Sequence, residues 1–264
     1  MPQLKQHVTI IIENYQRAVK SNSATDFTYL LTQPIKFSNR SHKKQYYVRI
    51  ENVRCPISFY NVNSNNNVLE WTDGVSAGSS ANVTITPGNY TIDELIAELQ
   101  TQMNAAVSGT YTITYNDNTQ KVNIAQSATS RVSTITANST LNKVIGFDIN
   151  QTIASGGNTD GNNIAYTNTM RHIKIQIPNL ISNNVYANDE SLVTQVQPVG
   201  LIIPITEIRN EFQHYNNHHG PMMKLGNMSS IVDIRVKLLD PDNNVVNLNG
   251  CPFGFELVVY EYNK

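Results

Sequence analysis

Apolar and polar residues alternate with a period of two through most of this chain. The cleanest case sets Val232, Ile234, Val236 and Leu238 on one face and Asp233, Arg235 and Lys237 on the other. Alternation of that kind predicts a half-buried antiparallel strand. Phe253, Phe255, Leu257 and Val259 repeat it near the end of the chain. Ile173, Ile175 and Ile177 face away from His172, Lys174 and Gln176, and Tyr46, Val48 and Ile50 face away from Tyr47, Arg49 and Glu51. Phe27, Tyr29 and Leu31 alternate before Pro34, which marks an edge or a strand end. Val83 and Ile85 make a short strand. Tyr111, Ile113 and Tyr115, the turn Asn116-Asp117-Asn118, and then Val122 and Ile124 predict a β-hairpin. Residues 61–67 and the Gly/Asn-rich residues 154–163 read as loops.

One stretch breaks the period. Ile92, Leu95, Ile96, Leu99 and Met103 recur at helical spacing, so one stripe of the segment is apolar. Thr91 and Glu94 supply a capping box: the hydroxyl takes an orphan amide of the first turn and the carboxylate reaches back to the amide of Thr91. Further on, Leu141 to Phe147 reads as a single helical turn ended by Gly146 in the left-handed conformation.

Many short strands between turns predict an all-β fold. The expected architecture is an antiparallel β-sandwich or jelly roll with one short capped helix, about 91–104, and long Asn-rich loops. Residues 1–25 read as an N-terminal arm in which Val8 to Ile12 has strand character. Residues 26–264 read as the sandwich, with 87–150 as a candidate inserted helix-plus-hairpin subdomain.

Composition narrows the partners. Charged residues make up 15% of the chain and the net charge is −1, below the typical charged share of about 25%. That leaves no electrostatic footprint for nucleic acid. No run approaches the roughly eighteen apolar residues that span a bilayer. Val8 to Ile12 is too short for a secretory h-region and Glu13 follows it, so no signal peptide is expected. The two cysteines, Cys55 and Cys251, make no disulfide framework. Both are expected as buried reduced thiols, although spacing alone leaves their pairing open. Asn occupies 35 of the 264 positions, a bias that fits many tight turns because Asn tolerates positive φ. The 13 tyrosines suit protein–protein contact, since each offers apolar area with a polar tip. They suit ordinary strand positions equally well.

Three motifs resemble chemical sites. Gly74-Val75-Ser76-Ala77-Gly78 matches the nucleophile elbow, but that motif needs a following helix, and Ser79-Ser80-Ala81-Asn82 leads into a strand instead. Asp240-Pro241-Asp242-Asn243-Asn244 begins like a calcium loop, yet Val245 and Cys251 stand where Gly and Glu belong. His214, His218 and His219 cluster, and on a helix the first two would share a face. No third spaced ligand accompanies them, and Gly220-Pro221 marks a loop. No catalytic, cofactor-binding or metal residue is therefore assigned.

The order of short motifs carries more. Pro34-Ile35-Lys36-Phe37 is followed by Pro56-Ile57-Ser58-Phe59-Tyr60-Asn61-Val62, then by Pro87-Gly88-Asn89-Tyr90 leading into the capped helix. A Tyr-rich hairpin, Ile145-Gly146-Phe147, Ile173 to Ile181 and Ile231 to Gly250 complete the series. Over roughly residues 27–260 this pattern resembles the penton and minor capsid proteins of Polinton-like viruses, virophages and related large DNA viruses. Residues 182–225 depart from it. The resemblance implies a jelly-roll structural protein of the virion capsid, assembled in the infected host cell and without enzyme activity. It also implies self-association, as a homopentamer at the vertices or else a trimer, against a larger major capsid protein. The alternative is a receptor- or glycan-binding spike or fibre-base module.

Overall fold

The computed structural model describes residues 3–15, 18–37, 44–72, 80–107, 110–127, 132–168, 170–181, 199–207, 211–226 and 228–263. The chain begins with β1 (Gln3–Glu13), β2 (Ala18–Ser23), β3 (Asp26–Lys36) and β4 (Lys44–Pro56). It continues with β5 (Val68–Thr72), β6 (Ser80–Thr84), α1 (Ile92–Ala106), β7 (Tyr111–Asn116), β8 (Lys121–Gln126), β9 (Ser133–Ile135), β10 (Thr152–Ile153) and β11 (Asn158–Asp160). It closes with β12 (His172–Gln176), β13 (Val199–Pro204), β14 (Phe212–Tyr215), β15 (Met223–Lys224), β16 (Ser230–Leu239) and β17 (Gly254–Asn263). Two compact units result: residues 1–59 with 170–264, and residues 60–169.

In the first unit, the partners are nested. β1 pairs with β17, β3 with β16, β4 with β14 and β12 with β13, every one antiparallel. The strands form two sheets, β1-β17-β4-β14 (with β15 also on β4) and β13-β12-β16-β3-β2. A chain that pairs its first strand with its last, and works inward, is a long hairpin rolled into a two-sheet sandwich: a jelly roll. The alternating residues explain the layers. Ile10, Ile12, Val48, Ile50, Leu257 and Val259 of one sheet share a buried core with Phe27, Ile173, Ile175, Ile234, Val236 and Leu238 of the other. Gly200 of β13 packs close against Ile50 of the facing sheet. A Cβ there would stand 2.8 Å from Cδ1 of Ile50, so β13 can pack this tightly only without a side chain at 200.

β4 changes phase once. Val48 and Ile50 point inward, then Val53 and Cys55 do, and Asn52 takes up the extra residue with φ 47°. The register against β17 shifts at the same place. Asn tolerates the left-handed conformation that such a bulge requires.

Residues 1–25, expected as an arm, instead contribute strands to both sheets. Val8, Ile10 and Ile12 have the same alternation as the other core strands, and Ile12 is fully buried opposite Phe255. The segment is too short and too isolated in sequence to advertise its partner, which lies at the other end of the chain.

The second unit has its own core, built around Leu69, Trp71, Leu99, Tyr111, Ile124 and Phe147. It contains the sheets β10-β9-β5-β6 and β11-β8-β7. It is wider than the expected 87–150 because β5 and β6 pair with each other, and β5 with β9, rather than with the jelly roll. Helix α1 begins at the predicted capping box, with the Glu94 amide donating to Thr91 Oγ1 at 3.2 Å and the Thr91 amide donating to Glu94 Oε2 at 2.8 Å. Its apolar stripe, Leu95, Ile96, Leu99 and Met103, is buried. Residues 154–163, read from sequence as a loop, add β11 to the edge of β8. Gly161 permits this: a Cβ would sit 2.7 Å from the carbonyl of Gly146. Deeper in, Trp71 Nε1 donates to Tyr111 Oη at 3.1 Å, Tyr111 Oη meets Ser133 Oγ at 3.1 Å, and Ser133 donates to Gln126 Oε1 at 3.2 Å. Every member of this chain is buried, so these polar atoms enter the core already partnered.

The role of β1 is testable. Ile12→Ala should cost about 2–5 kcal/mol, as for other fully buried aliphatic truncations, read as a lower denaturant midpoint. Deleting residues 3–13 should leave a chain with no cooperative unfolding of the jelly-roll unit. An unchanged midpoint for the deletion would make β1 an appendage.

Candidate functional site

The motifs singled out from sequence separate in space. The Ser76 elbow lies outside the described residues. Asp240 closes a plain turn: its carboxylate accepts from the Asn244 amide at 2.8 Å and from Asn244 Nδ2 at 3.0 Å, with Asn243 at φ 68°. The ammonium of Lys174 donates to the Pro241 carbonyl at 2.7 Å and to Asn243 Oδ1 at 3.0 Å. Among the described residues no group of three His, Cys, Asp or Glu side chains is placed to hold a metal. Cys55 and Cys251 are free thiols, and burial pushes that of Cys55 up to about 12.

The histidines divide because their segment is a strand followed by a turn, not a helix. His214 is exposed on β14, its ring 6.3 Å from that of Phe212. His219 is exposed in the turn. His218 reaches back to β4, where its Nδ1 meets Oε2 of Glu51.

Glu51 is the centre of the most elaborate polar arrangement in the jelly-roll unit. It stands on the outer face of β4, beside Arg49, and is nevertheless buried. Arg49 Nε donates to its Oε1 at 2.6 Å and Tyr260 Oη donates to the same oxygen at 2.8 Å. Arg49 also donates to Tyr260 Oη at 2.5 Å and lies 5.0 Å from the centroid of that ring. Burial alone would push the Glu51 carboxyl up. The hydrogen bonds from Tyr260, Arg49 and His218 outweigh it and hold the group below the ordinary glutamate range. Tyr260 moves the other way, raised first by burial and then by its bond to the carboxylate. The adjoining turn is pinned as well. Asn217 Nδ2 donates to the Ile50 carbonyl at 3.1 Å, and a Cβ on Gly220 would collide with the Asn217 amide at 1.9 Å.

Arg49, Tyr260 and His218 engage both oxygens of the Glu51 carboxylate. The arrangement fastens the β14–β15 turn to the outer face of β4. Sequence alternation placed Arg49 and Glu51 on one face, but nothing in the sequence joined them to Tyr260 or His218.

The same sheet exposes Ile11 and Phe212, the turn after β1 exposes Tyr15, and the other sheet exposes Leu30, Ile202 and Val232. Of the tyrosines in this sheet, Tyr47 and Tyr262 meet edge to face with centroids 6.4 Å apart.

No protein-family model matches the chain. No curated protein matches it either. Among solved structures, the chain is similar to the crystal structure of the mavirus penton protein, with 9% identity over 97% of this chain and 100% of that one and a TM-score of 0.49. It is also similar to the cryo-EM structure of the Sputnik virophage, with 12% identity, 95% and 97% coverage and a TM-score of 0.40.

The Glu51 cluster makes stability depend on acid. A carboxyl held below its unfolded value contributes stability that is present above the ordinary glutamate range and is lost as pH falls through the folded value. Glu51→Gln should therefore lower stability at pH 7 by about 2 kcal/mol, the scale of hydrogen bonds to a charged group. The variant should also lose less stability than the parent between pH 5 and pH 3. Parallel pH profiles for the two proteins would show that the carboxylate is not held as described.

Proposed function

We propose that this chain is a non-enzymatic structural protein of a virion: a penton or minor capsid component that associates with copies of itself and packs against a larger major capsid protein. The observation that carries the reading is the nested strand pairing of the first unit, which is the jelly roll that the motif order in the sequence implies.

The positions behind that resemblance serve as joints of the framework. Gly88 bridges Val62, and the Asn61 side chain holds the Tyr90 backbone at the start of the helix, with bonds of 2.9 and 2.7 Å. Gly146 has φ +79°, and a Cβ there would stand 2.3 Å from the Asn163 carbonyl. The Asp240 turn connects β16 to the segment leading into β17. Residues that set the path of the chain, rather than residues that do chemistry, carry the likeness to capsid proteins.

Self-association suits the surface. A ring built on a heterologous interface needs two unlike patches on one subunit. The jelly-roll unit exposes Ile11 and Phe212 from one sheet, with Tyr15 in the turn after β1, and Leu30, Ile202 and Val232 from the other sheet. On this reading the copies close into a pentamer, the protein resides in the capsid, and its work is geometric.

Light scattering coupled to gel filtration tests the reading on the full chain. A native mass near five chain masses is expected, and Ile202→Glu should lower it without lowering the melting temperature. A mass of three chains would favour a spike or fibre base. A monomer across the concentration range would contradict self-association.

A further inference from the structure

The 35 asparagines of this chain include a single Asn-Gly pair, Asn249-Gly250. It forms the two central residues of a tight turn. Asn249 has φ 50° and Gly250 φ 82°, and the Cys251 amide donates to the Leu248 carbonyl at 2.9 Å across them. Positive φ at both central positions makes this a type I′ turn. Both residues are exposed, and the turn lies just before β17.

Two bonds tie the turn to Ser58, which follows β4. Ser58 Oγ donates to the Leu248 carbonyl at 2.7 Å, and Asn249 Nδ2 donates to the Ser58 carbonyl at 2.5 Å. The second bond needs the amide. An ionised carboxylate has no donor and would set one acceptor against another.

The surroundings leave the Asn249 side chain open to attack by its own main chain. The nucleophile is the Gly250 backbone nitrogen. Among the described residues nothing accepts from its N–H. A Cβ at Gly250 would meet nothing within 4 Å, so neither a side chain nor a neighbour shields the nitrogen. Glycine also lets the backbone rotate into the geometry of attack. The other described pair able to take this route, Asp160-Gly161, is closed to it. The Gly161 amide donates to the Val122 carbonyl at 2.8 Å, and a Cβ there would stand 2.7 Å from the Gly146 carbonyl.

We propose that Asn249 is a self-modification site, where deamidation unlatches the turn from Ser58. The Gly250 nitrogen bonds to Cγ of Asn249. The Cγ–Nδ2 bond breaks, and Nδ2 leaves as ammonia with the proton that Gly250 gives up. The product is a five-membered succinimide. Water then adds to one of its two carbonyls and the ring opens. Breaking the bond from nitrogen to Cγ leaves aspartate; breaking the bond to the main-chain carbonyl leaves isoaspartate. One water is consumed and one ammonia released, with no change of oxidation state. Either product loses the donor to Ser58 and gains a negative charge, and isoaspartate also lengthens the main chain by one carbon. Ring closure requires the Asn249 side chain to leave Ser58, so local opening of the turn sets the pace. The reaction needs only water and runs one way, so the converted fraction records the age of the protein. It is independent of how many copies assemble.

Peptide mapping by mass spectrometry tests this on the full-length protein after days in mildly alkaline buffer, with and without urea. In the folded protein Asn249 should convert before any other asparagine, with isoaspartate among the products. Asn249→Asp should melt about 2–4 °C below the parent, the shift for a loss of about 1 kcal/mol in a chain of this size. Earlier conversion of another asparagine, or conversion of Asn249 only in urea, would overturn the assignment of the site. A melting temperature unchanged by Asn249→Asp would overturn the unlatching.

Discussion

The pairing of β1 with β17 is the constraint on which the jelly-roll unit depends. It joins residues from the two extremes of the chain, Leu4 with Tyr262 and Ile12 with Phe255. Every other pairing of the roll is nested inside it. Ordering so long a loop is entropically unfavourable, though the penalty grows only slowly with length. It is offset here by continuous backbone pairing and by the burial of Ile10 and Ile12 against the facing sheet. A fold dominated by such distant contacts forms late and cooperatively. Residues 60–169 escape the constraint because their strands pair among themselves around a separate core.

Asparagine is the second organising element, and it acts in two ways. At Asn52, Asn150, Asn243 and Asn249 it adopts positive φ, as the sequence bias suggested. Elsewhere its side-chain amide stands in for a peptide group. Asn104 of α1 donates to the Tyr111 carbonyl at 3.0 Å and accepts from the Tyr111 amide at 2.6 Å, giving β7 the partner that a neighbouring strand would supply. Asn61 does the same for Tyr90. Asn14 accepts from the Phe253 amide at 3.0 Å, just beyond the end of the β1–β17 ladder. In a chain with few charges, the amide satisfies backbone groups that would otherwise be stranded at strand and helix ends.

What could be read from the sequence was local. The capping box at Thr91 and Glu94, the Tyr111–Ile124 hairpin and the Gly146 turn depend on neighbours within a few residues, and all stand in the structure as expected. The alternation of β16 holds from Ile234 to Leu238, but a bulge between Ile231 and Asp233 turns Val232, expected on the inner face, outward and buries Ile231 instead. The role of β1 was hidden because its partner lies some 250 residues away (Val8 opposite Val259). The phase change at Asn52 was hidden because one residue inserted into a strand leaves no mark in composition. The same holds for the outer-face sites. Glu51 gathers Arg49 from its own strand, but Tyr260 and His218 from far along the chain. The row Glu13, Gly254, Arg54 and His214 likewise joins four strands from distant parts of the chain. Tyr15 and Phe212 carried no signal beyond being aromatic.

Native-state hydrogen exchange most directly measures whether β1 is a structural strand that closes the roll. The amides of Thr9 to Ile12 that bond to β17 should exchange with the same opening free energy as those of Leu257 and Val259, since the ladder opens as one unit. Exchange in β1 several orders of magnitude faster than in β17 would contradict the account. The N-terminal segment would then be a frayed arm resting on a roll closed by other pairings.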